Sequence, residues 1–143
     1  MAELIVIPAL IMGAVIGLYE LILIHRDENF RGSHWFGHGL HAVFFAMGAV
    51  FVTMNTEFVY ESFSFLSTIP YLENPWIFRI AVGFITMIKV HAASAVVKGT
   101  IGSTKGMKET WAHSLVVATL VVLAPLIYPL IAPVFERFTG GEE

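Results

Sequence analysis

The chain has no cysteine and very little charge. Without cysteine there are no disulfides, no thiolate metal ligands, no cysteine-held iron–sulfur cluster and no cysteine nucleophile. Any metal site must draw on imidazole and oxygen ligands. The scarcity of charge is as informative. Charged residues make up 13% of the 143, hydrophobic residues 57%, and the mean hydropathy is +0.77. A soluble domain carries roughly a quarter of its residues as charges, so much of this apolar surface is expected to face lipid. The net charge of −3, with no basic run, argues against a nucleic-acid partner. No Walker loop, serine triad signature or internal repeat occurs. Whether the protein is an enzyme stays open on this reading.

Apolar runs fill most of the chain. Residues 4–24, 35–54, 76–97 and 110–135 read as membrane spans. Each has roughly 20 residues, enough for about 30 Å of hydrocarbon. The expected fold is therefore all-α: one transmembrane domain over residues 1–143, built as an antiparallel four-helix bundle. The first run is read as a retained helix and not a signal peptide. Glu3 precedes it, no basic stretch leads it, and no small-residue cleavage site ends it.

The connectors differ in character. Residues 55–74 mix Glu57, Glu61 and Glu73 with Phe58, Tyr60, Phe63, Phe65 and Tyr71. That mixture suits a segment at the membrane interface. Pro75 is well placed as a first helical residue. Gly99, Gly102 and Gly106, among three lysines, predict a flexible loop. Pro125, Pro129 and Pro133 recur on one helix face and are expected to bend or break the last span.

Orientation follows from basic residues. Arg26, Arg31, Lys98, Lys105 and Lys108 flank one side, and Arg79 and Arg137 the other. The positive-inside rule then puts both termini outside the cytoplasm. A bundle with so little mass outside the membrane is expected to work in a larger assembly, as a homo-oligomer or with other membrane subunits.

Four alternating spans bring four helix ends to one membrane face. All six histidines fall near those ends: His25, His34, His38, His41, His91 and His113. At about 1.5 Å per residue, His25 and His34 sit at the interface, His38 and His41 one and two turns in, and His91 roughly 9 Å inside. Glu20 lies about one turn from the end of the first span. It continues a stripe begun by Gly13 and Gly17, which suits a close helix contact. On the third span Gly83, Met87, His91 and Ser94 share a face, and Lys89 points about 200° away from His91.

Ionisable groups at this depth are costly unless paired, hydrated or ion-bound. Three uses are open. In the first, His38, His41, His91 and Glu20 surround a transition-metal ion (Cu, Zn or Fe). In the second, two histidines on different helices ligate haem, with His41 and His91 or His38 and His113 as the pairs to test. In the third, Glu20 and the histidines relay protons or cations, although the opposite halves of the spans offer almost no ionisable group to continue such a path. Against these stands a structural use, in which the histidines only hydrogen-bond between helices of an accessory subunit. His25 and His34 suit plain solvation, and Lys89 suits snorkelling or pairing with Glu20.

The run His34-Trp-Phe-Gly-His38-Gly-Leu-His41 resembles a histidine box of membrane di-iron desaturases and hydroxylases over eight residues. Those families use several boxes. No second one occurs here, so the resemblance implies at most iron-type imidazole ligation at these positions.

Overall fold

The computed structural model describes residues 4–25, 35–100 and 111–139, with the side chains of 23–25, 35–39, 42, 93–100 and 135–139 outside the description. The described residues hold five α-helices: α1 (Ile7–His25), α2 (Trp35–Met54), α3 (Thr56–Ser62), α4 (Pro75–Thr100) and α5 (Trp111–Thr139). A short 3-10 helix, Ser64–Thr68, follows α3. No strand occurs among the described residues. Two helices, over Pro75–Ala92 and Trp111–Val134, are long and apolar enough to cross a membrane. A third joins them if α2 and α3 count as one bent span. The outer faces carry large apolar side chains, such as Phe44 at 62% and Leu130 at 79% exposure. Apolar faces of this extent mark a contact surface for a membrane or for another protein.

The helices alternate in direction. Gly13 and Gly17 of α1 lie against α2, where an added Cβ would stand 2.5 Å from Met47 Cα and 2.7 Å from Val43 Cα. Only hydrogen fits there, so the backbones approach closely. This is how helices gain contact in lipid, where no hydrophobic drive separates them from the solvent. The pairing steps backward along α2 as it steps forward along α1, and about one more turn brings Glu20 level with residues near position 40. Gly83 of α4 lies likewise under the Val122 side chain of α5. Ala9, Met12, Ile16, Ala46, Val50, Val117 and Val121 make the interior between α1, α2 and α5.

The three prolines do not break α5, which runs unbroken through all of them. Pro125 lacks the N–H that would reach the Val121 carbonyl. That carbonyl receives the Thr53 hydroxyl of α2 instead, at 3.0 Å, and the same hydroxyl lies 3.1 Å from Val50 O. A neighbouring helix thus makes good one bond that proline deletes.

The connector after α2 is helical. The chain turns by 86° at Asn55, so α3 leaves the direction of α2 sharply. The side chain of Asn55 holds this corner. Its Nδ2 donates to Ile5 O and Phe51 O, both at 2.9 Å, and its Oδ1 accepts from Ile5 N at 2.7 Å. Arg79 Nε donates to Thr53 O at 3.1 Å, and the Thr56 hydroxyl to the same carbonyl at 3.0 Å. The end carbonyls of a broken helix therefore have donors, as a low-dielectric setting demands. Asn74 Oδ1 accepts from Trp76 N at 2.9 Å and opens α4, with Pro75 as the first helical residue as expected.

Candidate functional site

One end of the bundle gathers polar side chains from three helices. Glu20 on α1 is 1% exposed, because the Gly13–Gly17 stripe that precedes it draws this face against α2. Its Oε2 lies 3.1 Å from His113 Nε2 on α5. The distance suits a hydrogen bond, but Nε2 is buried and makes no aligned hydrogen bond among the described residues. Next to His113, the Ser114 hydroxyl is fully buried and has no hydrogen-bond partner among the described residues.

His91 on α4 meets α5 elsewhere. Its ring stacks on the Trp111 indole with centroids 3.8 Å apart and planes 11° from parallel. Its Nδ1 is buried without a hydrogen-bond partner among the described residues. Trp111 and His113 are two residues apart on one helix, hence about 200° apart around its axis. The first turn of α5 therefore sends Trp111 to α4 and His113 to α1, and stands between His91 and the Glu20–His113 pair. That is the physical reason why no group of three His, Asp or Glu side chains able to hold a metal ion occurs among the described residues.

The predicted ligands are thus distributed unevenly. Glu20 and His113 meet; His91 takes an aromatic partner; His41 is exposed on α2. His38 lies on α2 with its side chain outside the described residues, as does that of His25, and His34 falls outside them altogether. Lys89 is exposed, in keeping with its position opposite His91. For haem, two apolar grooves of about 310 and 330 Å³ lie on the bundle's flanks, one between α4 and α5 and one between α2 and α4, and among the described residues no histidine lines either. The Asn55–Arg79–Thr53 corner at the other end escaped the reading of the sequence. Its one visible signal was Asn55 directly after a long apolar run.

Comparison with known proteins finds no matching family, no matching curated protein and no matching solved structure.

Proposed function

We propose that the chain is a four-span membrane protein whose Glu20–His113 centre binds a transition-metal ion, as a subunit of a larger membrane assembly. The observation that carries this reading is the carboxylate–imidazole contact at 3.1 Å inside an apolar bundle. Two donors on one ion, each about 2.0–2.2 Å from it, stand roughly 3–3.5 Å apart. His38 is the natural further ligand, since the α1–α2 register brings its part of α2 level with Glu20. As for the spans, α1 has 19 residues and α2 has 20, lengths of about 28–30 Å that fit a bilayer core.

A second reading rests on the lack of a third ligand among the described residues. In it, the pair shares a proton and serves only to join α1 to α5 in an accessory subunit. One experiment separates the two. Copper, zinc and iron are measured in the purified protein, then in Glu20→Gln, His113→Ala and the apolar double variant Glu20→Leu with His113→Leu. The metal reading expects stoichiometric metal in the parent and its loss in all three, with the double variant still folded, because an apolar pair replaces a buried ion pair at little cost. A parent that holds no metal, even after reconstitution, overturns it.

A further inference from the structure

The corner at the opposite end of the bundle encloses a second polar site. A pocket of about 250 Å³ lies under the α2–α3 bend, lined by Asn55, Glu57, Phe58, Pro75, Arg79 and apolar neighbours. Arg79 spends only Nε on the protein, toward Thr53 O and, at 3.4 Å, Thr56 Oγ1. Both hydrogen bonds of Arg79 to described residues are made by Nε and none by its Nη groups, and its guanidinium carbon stands 5.6 Å from the Trp76 ring. A planar guanidinium anchored through Nε presents its remaining donors in a fixed fork that fits phosphate oxygens. Glu57 lines the same pocket and is exposed, and no ion pair within 4 Å joins it to Arg79. One pocket therefore holds a cation and an anion that do not neutralise each other. Its complement is a zwitterion with a phosphate and an ammonium group.

The location selects the source. At this corner α2 breaks, α4 begins and the chain ahead of α1 is tied down by Asn55, so the pocket lies where the helices leave the bundle. Phe63, Phe65 and Tyr71 of the connector that follows the corner, and Trp76 next to Pro75, are exposed, aromatic residues of the kind found at headgroup level. We infer that this pocket binds the headgroup of an aminophospholipid, its phosphate on Arg79 and its ammonium on Glu57. The inference shares the membrane reading proposed above but not the metal centre, so loss of metal at Glu20 leaves it untouched.

The test is lipid retention by the full chain in mild detergent, read by native mass spectrometry with phosphatidylethanolamine, phosphatidylglycerol and phosphatidylcholine vesicle lipids added in turn. The parent should retain phosphatidylethanolamine about tenfold over the other two, the size of one charge-assisted hydrogen bond. Arg79→Gln should lower retention of all three phospholipids. Glu57→Gln, on an exposed side chain, should abolish the preference for the primary amine while the protein stays folded. Equal retention of the three lipids by the parent overturns the proposal, as does a preference that survives Glu57→Gln. Displacement of the lipid by free phosphoethanolamine at equal concentration would assign the pocket to a soluble zwitterion and overturn the lipid. Should Arg79→Gln unfold the corner, Glu57→Gln decides alone.

Discussion

Proline at position 125 removes the N–H that would close onto the Val121 carbonyl, and full burial of Val121 keeps water from replacing it. The Thr53 hydroxyl, fully buried on α2, fills that role across the helix interface. Thr53→Val keeps the shape and removes the donor, leaving a buried carbonyl without a partner. Its expected cost is about 1–2 kcal/mol, between the small average for interhelical bonds in membranes and the larger penalty for an orphaned buried group. Pro125→Ala restores the N–H and should make the same Thr53→Val change nearly neutral. A double-mutant cycle in detergent, followed by thermal unfolding, measures the coupling. Additive effects would show that Thr53 does not serve the proline gap. The same residue scale explains what was hidden in the sequence. Pro125 announced a missing bond, but nothing in the pattern tied it to a threonine 72 positions earlier; that needed the α2–α5 register. Glu20 was legible as a buried group from the Gly13–Gly17–Glu20 spacing, whereas its meeting with His113 was not, because spacing within a helix does not state which neighbour it faces.

At the scale of elements, the α1–α2 contact is set by two glycines. Gly17→Ala would place a Cβ 2.7 Å from the Val43 backbone, which cannot swing aside as a side chain can. The helices must separate or shift, at an expected cost of about 1–3 kcal/mol. Gly48, also on α2, supplies the control: an added Cβ there meets nothing within 4 Å, and alanine favours helix by about 1 kcal/mol. Gly48→Ala should thus stabilise and Gly17→Ala destabilise, as read by thermal unfolding monitored by circular dichroism. Equal effects would mean that the close approach is not what holds the pair. The helices themselves were largely legible, since length and hydropathy are local properties: the expected run 35–54 coincides with α2, and Pro75 begins α4. The 55–74 connector was legible only as interfacial in character. Its helix α3 and the 86° turn depend on Asn55 reaching back to Ile5, a contact fifty residues apart in sequence. Of the expected bend or break in α5, the break does not occur, and the bond lost at Pro125 is replaced from outside the helix.

At the scale of the molecule, the absence of cysteine turns into an experimental advantage. Single cysteines introduced into this chain report membrane sidedness with no background from native thiols. The two helices that are long and apolar enough to cross a membrane, α4 and α5, run in opposite directions, since Gly83 faces Val122 while His91 faces Trp111. If α1 and α2 also cross, as proposed, then the 55–74 connector and both termini share one side, and the segments 26–34 and 101–110 share the other. Ser67→Cys, exposed in the connector, should then react with an impermeant maleimide from the same side as a cysteine at Ala2, and a cysteine at Ser103 only from the opposite side. The positive-inside rule expects the Ser103 side, flanked by Lys98, Lys105 and Lys108, to be cytoplasmic, and labelling of intact cells checks it. A re-entrant α2–α3 segment gives a different pattern, with positions 67 and 103 labelled from opposite sides but Ala2 no longer on the side of 67, because an odd number of crossings separates them. The outcome bears directly on both polar ends of the bundle. A crossing by α4 alone already sends the Glu20–His113 contact, beside the start of α5, and Arg79 with Glu57, at the start of α4, toward different leaflets, and four crossings add that both basic segments flank the first of these ends.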